Sequence, residues 1–267
     1  MAGLSLAPLC CDSALADKRV ALVVGNSAYR NAPHLPTPRK DAQAVAAMLE
    51  KAGFSVVSAH YDLGTLQLRR AIRQFEAVAV DADIAVVFYA GHGMEVQGTN
   101  FLIPTDAQLR SDLDVEDEAI SLGRIQRILQ PAKWLRLIIL DASRDNPFDK
   151  TMKRTPATLA YSRGLAEVES GSDTLIAFAA KAGSTALDGT GAHSPFTEAL
   201  LKHMVVPGLD VRLAFGRVRD EVLQATGNRQ EPFLYGSLGG QQVSLVPAPD
   251  QPRVGASDLS GQRSAYE

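Results

Sequence analysis

Thiols are almost missing from this chain of 267 residues: Cys10 and Cys11 are its only cysteines, and both precede Asp17. Adjacent cysteines do not readily pair with each other, and two in a row lack the spacing of a zinc motif. A disulfide framework and a cysteine-built metal centre are therefore excluded from the rest of the chain. An excess of one charge is missing too, with 27 Lys and Arg against 30 Asp and Glu and a formal net charge of −3. That balance gives no basis for holding nucleic acid or an anionic membrane surface. No apolar run reaches the length of a membrane span. The stretch "GNSAY" after the first apolar run has neither G-x-G-x-x-G nor a phosphate-binding lysine, which leaves a nucleotide site unsupported. His34, His60, His193 and His203 share no metal-ligand spacing, and no EF-hand loop is present, so no metal or other cofactor is implied. A G-x-S-x-G elbow is absent around Ser143, which argues against an α/β-hydrolase.

What is there is an ordinary globular composition, 46% hydrophobic and 21% charged. The first 17 residues stand apart: a short apolar stretch ends in "ALA", which suits a leader-peptidase cut before Asp17, although no Lys or Arg precedes it and Pro8 interrupts it. A functional leader would make the protein periplasmic or secreted, and without one it would be cytoplasmic. Near-continuous apolar runs at 19–25, 54–59, 84–90, 134–140 and 174–180 predict strands buried on both faces. Between them, Ala42, Val45, Leu49 and Ala52, then Leu68, Ile72, Phe75 and Ala79, recur at helical spacing. The spacing predicts further helices over 121–130, from Ser194–Pro195 onward, and from Asp210 with Val211, Phe215, Val218 and Val222 inward. Strands alternating with helices imply an α/β fold, a parallel sheet covered on both sides. Residues 18–246 form the domain. Residues 247–267 are polar and rich in Pro, Gly and Ser, a disordered tail.

Two strand ends carry chemistry-bearing residues. "FYAGHG" sets His92 between glycines just past a strand, and "LIILDASRDNPF" runs from a buried strand through Asp141 to Ser143. In a parallel sheet both ends emerge on the same edge, and if the strands are neighbours a base faces a nucleophile there. Taken singly, each is unremarkable: a loop histidine bonding to backbone, a serine satisfying a turn, an aspartate capping a loop. The connection 144–173 is long and holds Lys150, Lys153, Arg154 and Arg163; loops of that length are functional or mobile. The acids of "DLDVEDE" (112–118) read as a solvated turn.

Five ordered motifs, "RVALVVGNSAY", "FYAGHG", "NFLIPTDA", "LIILDASRDNPF" and "SPFTEALL", together resemble the caspase-like peptidases, closest to the bacterial members and the paracaspase branch. The resemblance covers residues 19 to 205. It implies a three-layer α/β sandwich around a mainly parallel six-stranded sheet, and a His–Cys dyad that cleaves peptide bonds. Carried over, His92 matches the catalytic histidine. Gly93 matches the glycine whose N–H joins that of residue 143 in the oxyanion hole. Asp41 and Asp141 match two acids of the first specificity pocket, so the implied partner is a polypeptide with a basic residue before the cut. The third acid falls at Thr185, and the nearby Asp188 is the candidate to replace it. The resemblance implies no cofactor, and it decides nothing about oligomeric state. The basic connection suggests self-cleavage there.

The departure is central, because Ser143 stands where the family has its cysteine. A serine hydroxyl depends far more on an aligned base than a thiol does. Three readings remain: a caspase-like endopeptidase weakened or silenced by Ser143, a natural pseudo-peptidase that binds without cutting, and an unrelated α/β binding module.

Overall fold

The computed structural model describes residues 18–143, 147–148, 152–153, 171–181, 186–189 and 191–249. The leader-like segment with both cysteines, most of the connection 144–173 with Lys150, Arg154 and Arg163, Thr185 and the tail beyond residue 249 lie outside the described residues, whereas Lys153 is described and exchanges backbone hydrogen bonds with Arg110 and Asp112.

The apolar runs become β1 (Arg19–Gly25), β2 (Val56–Tyr61), β3 (Ile84–Val96), β6 (Leu135–Ser143) and β7 (Thr174–Phe178). Between and around them lie β4 (Thr99–Leu102), β5 (Ile120–Ser121) and β8 (Phe233–Ser237). The helices are α1 (Pro38–Lys51), α2 (Thr65–Ala79), α3 (Asp114–Glu118), α4 (Leu122–Leu129), α5 (Pro195–His203) and α6 (Val211–Ala225). Six strands lie in the order β2-β1-β3-β6-β7-β8, parallel except for the antiparallel β8. This is the mainly parallel six-stranded sheet that the resemblance implied. Beyond its edge, β3 runs on to pair with β4 antiparallel, and β4 pairs with β5.

The continuous apolar strands are explained by cover on both faces. Ala21, Val23, Val86, Phe88, Leu137 and Ile139 pack against α1, α5 and α6. Their sequence neighbours Val20, Leu22, Val87, Ile138 and Leu140 turn the other way, onto α2 and α4. The two-residue alternation of a strand thus feeds two cores, and the molecule has three layers. The edge strand β2 differs, being half-buried with Val56 exposed.

Several details depart from expectation. The first helix begins at Pro38, ahead of the apolar pattern that starts at Ala42, because proline suits a first turn where no amide hydrogen is needed, and Asp41 is thereby drawn into the buried first turn. The acids 112–118 are not a plain turn: they form the one-turn α3, in which Asp114 accepts the amides of Arg110 and Ser111, and Asp112 is buried. Behind the sheet, the buried Arg19 guanidinium donates from Nη1 to the carbonyls of Ala52 (3.0 Å) and Leu245 (2.6 Å) and lies over the Phe54 ring. One cation thus ties the end of α1 and the C-terminal segment to the first strand. Ala248, within the stretch read as tail, lies beside Gly208.

Candidate active site

The edge formed by the carboxyl ends of β1, β3 and β6 is stepped. β1 stops at Gly25, opposite Ala90, while β3 and β6 continue together. In that continuation Ala90 pairs with Asp141, Gly91 with Ala142, and His92 with Ser143. The two strand ends marked in the sequence are therefore direct neighbours, and His92 sits beside position 143 in register. The side chain of Ser143 lies outside the described residues.

His92 is not a loop residue, as expected, but part of β3, which runs on to Val96. The preceding glycine does not make a sharp turn. It is needed for close approach: a Cβ on Gly91 would stand 2.5 Å from the Tyr29 hydroxyl and 2.8 Å from that of Tyr89, at a φ of +153°. The imidazole is buried. Its Nε2 lies 2.9 Å from the Pro33 carbonyl oxygen. A carbonyl only accepts, so Nε2 carries the hydrogen and the neutral ring keeps its lone pair on Nδ1. Nδ1 is buried with no hydrogen-bond partner among the described residues. Burial holds the imidazole below its usual pKa, against smaller upward pulls from the Pro33 carbonyl and the Asp188 charge. The result is a neutral base with its basic nitrogen unoccupied. Gly93, next along β3, is opposite Leu102 of β4.

The acids gather beside it. Asp41 on α1 is buried and accepts from His193 Nδ1 (2.9 Å) and the Ser194 amide (3.3 Å). Asp141 on β6 is also buried; its Oδ2 accepts the Ser194 hydroxyl and the Thr197 hydroxyl (2.9 Å). Ser194 in turn caps α5, accepting the Thr197 amide at 2.9 Å. The start of α5 therefore holds both acids at once. Burial, and then the Asp41 charge, push the Asp141 carboxyl up to about 7. Burial also raises Asp41, opposed by its bonds to His193, Thr37 and Ser194. Asp188 is half-buried and raised by burial, and its charge is felt by both His92 and Asp141. No Lys or Arg is paired with Asp41 or Asp141 among the described residues. The two carboxyls repel each other, and the basic group beside them is the imidazole of His193 on Asp41.

His92, Gly93 and Asp141, with Ser143 through its backbone, thus share one end of β3 and β6, Asp41 on α1 and Asp188 are close enough for their charges to act on Asp141, and Thr185 lies outside the described residues. Sequence reasoning missed the partners: Tyr29, Pro33 and Tyr89 around His92, and His193, Ser194 and Thr197 around the acids. Ser194 had been legible only as a helix cap.

Comparison with known proteins gives this arrangement its class. Residues 18–241 match a peptidase family model described as the caspase domain, and the chain belongs to that family. It carries a caspase-like peptidase domain. Among curated proteins it is similar to the human (Homo sapiens) mucosa-associated lymphoid tissue lymphoma translocation protein 1, 32% identical over 145 residues, which is 53% of this chain and 17% of that protein. The Mus musculus homolog is 30% identical over 142 residues, 52% of this chain and 16% of its own length. The chain thus spans about a sixth of the length of these relatives. Among solved structures it resembles caspase-1 from Spodoptera frugiperda, with a TM-score of 0.59 at 17% identity, covering 86% of this chain and 92% of that one; the likeness is one of fold.

Proposed function

We propose that this edge is a peptidase site of the caspase type that reads a basic residue before the cut, in which Ser143 leaves cleavage weak or absent. In this reading His92 is the base, Ser143 occupies the nucleophile's place, and the amides of Gly93 and residue 143 receive the oxyanion. Asp41 and Asp141 receive the guanidinium or ammonium, with Asp188 at the rim. The observation that carries the reading is the pairing of His92 with Ser143 in adjacent strands while Nδ1 of His92 has no partner among the described residues.

The same geometry explains why serine serves poorly. When a base takes a hydroxyl proton it becomes an imidazolium, which serine triads stabilise with a buried carboxylate on the far nitrogen. Here that nitrogen meets the neutral Pro33 carbonyl, which orients the ring without supplying charge. A thiol, already partly ionised near neutral pH, needs less help. Ser143 itself favours a second reading, a pseudo-peptidase that holds basic segments without cutting them.

The test compares the chain as it stands with Ser143→Cys on fluorogenic peptides ending in Arg, each with and without His92→Ala. The expected result is cleavage by the cysteine form alone, falling by about 100- to 10,000-fold with His92→Ala. If no form cuts Arg, Lys or Asp peptides while an Arg peptide still binds, the binding reading replaces the peptidase reading.

A further inference from the structure

β3 outruns β1, and this leaves a main-chain problem at His92. Up to Ala90 the strand has β1 beside it, and the Asn26 amide still reaches the Ala90 carbonyl at 2.9 Å. Two residues later β1 has ended, yet His92 is buried, and an unpaired buried amide or carbonyl is costly. Two tyrosine hydroxyls fill the place of the missing strand. The His92 amide donates to Tyr29 Oη at 2.7 Å. Tyr89 Oη donates to the His92 carbonyl, 2.8 Å away, and the Ile103 amide reaches the same oxygen at 3.1 Å. The Ile103 carbonyl lies within reach of both hydroxyls, 2.9 Å from Tyr89 Oη and 3.2 Å from Tyr29 Oη, so two hydroxyl hydrogens are shared between two carbonyls, and the two hydroxyl oxygens lie 3.2 Å apart. Both tyrosines are buried, and burial holds both phenols above their ordinary pKa, so the hydrogens stay in place across the working pH range. The Tyr29 ring also packs on the imidazole, centroids 4.5 Å apart.

Phenylalanine would fill these positions equally well if packing were the only requirement. The hydroxyls have a specific task at the two peptide units that flank one residue, the one from which the proposed base projects. We propose that Tyr29 and Tyr89 are positioning residues for His92: their hydroxyls stand in for the absent β1 backbone and hold the histidine peptide so that Nδ1, not Nε2, faces position 143. This rests on the reading of His92 as the base. Tyr29 adds ring contact to its hydrogen bond and reaches His92 from the same loop as Pro33, so removing its hydroxyl disturbs the residue most.

The test uses Tyr29→Phe and Tyr89→Phe, which keep the ring volume. In the Ser143→Cys background, kcat on an Arg peptide is expected to fall about 10- to 100-fold with KM within about twofold, as for a displaced reacting group. A role confined to stability would lower the melting temperature and leave kcat of the folded enzyme unchanged, and that result overturns the proposal. A second readout needs no activity. In the chain as it stands, nitrogen-15 chemical shifts of the His92 ring should report one tautomer, with hydrogen on Nε2, and Tyr29→Phe should give a mixture of tautomers. An unchanged single tautomer in Tyr29→Phe overturns the proposal even if the cysteine form proves inactive. Inactivity of that form with the tautomer mixing observed would instead count against the peptidase reading alone.

Discussion

The two sides of the site treat their ionisable groups in opposite ways. His92 is clamped through its main chain and Nε2, and its remaining nitrogen is left alone. Asp41 and Asp141 are held at the functional atoms themselves, by His193, Ser194 and Thr197. Burial pushes both sides toward neutrality, lowering the histidine and raising the acids. For a histidine the neutral form is the one that accepts a proton, so the base side stands ready. For an aspartate the neutral form is the one that ignores a cation, so a cation arriving near neutral pH would draw the remaining proton off Asp141. Under the proposed reading, substrate capture and acid ionisation are one event.

Asp141→Asn is the largest test of that contrast. In the Ser143→Cys form it should raise KM for an Arg peptide by about 100-fold, since one partner of a buried charge pair is lost; unaltered KM would remove the cation seat from the acid side. The same variant reports on stability. Native Asp141 keeps to about pH 7 a proton that an unfolded aspartate releases near pH 4, so its contribution is full below about pH 4, falls as pH rises, and is gone above about 7. Urea midpoints measured from pH 4 to 8 should therefore show Asp141→Asn gaining on its parent as pH rises, by at most about 4 kcal/mol. Taking the difference from the parent cancels the opposite slope that the lowered histidine imposes.

Ser194→Ala should act on both acids and on the α5 cap together, costing about 1–2 kcal/mol of stability and raising KM without a matching fall in kcat. A fall confined to kcat would assign Ser194 to the base side and blur the distinction. The smallest effect is expected at Arg39→Ala. Its ion pair with Asp62 (3.0 Å) is exposed on the arginine side, so the loss in unfolding free energy should stay below about 1 kcal/mol. A larger loss would mean that the loop bearing Pro33 depends on that contact.

The strands β1, β3, β6 and β7 were legible because cover on both faces demands unbroken apolar runs, which few other structures write into a sequence. β4 has only 4 residues and β8 carries Gly236 inside it, so neither leaves a periodic trace. The end of β3 was unreadable for another reason: a Gly-His-Gly stretch looks like a turn unless one knows that tyrosine hydroxyls occupy the space a Cβ would need. His92, Asp41 and Asp141 were singled out through their motifs. Their partners were not, because Asp41 and His193 are 152 residues apart and Ser194 and Asp141 are 53 apart. Tyr29 and Tyr89 read as core aromatics, and nothing local announces that their oxygens have acceptors.

The buried Arg19 sets a rule for anyone trimming the chain. The family match ends at residue 241, yet the carbonyl that receives the Arg19 guanidinium belongs to Leu245. A recombinant fragment stopped at the end of the match would keep the cation and discard one of its acceptors. A stop codon placed after Val246 retains the clasp.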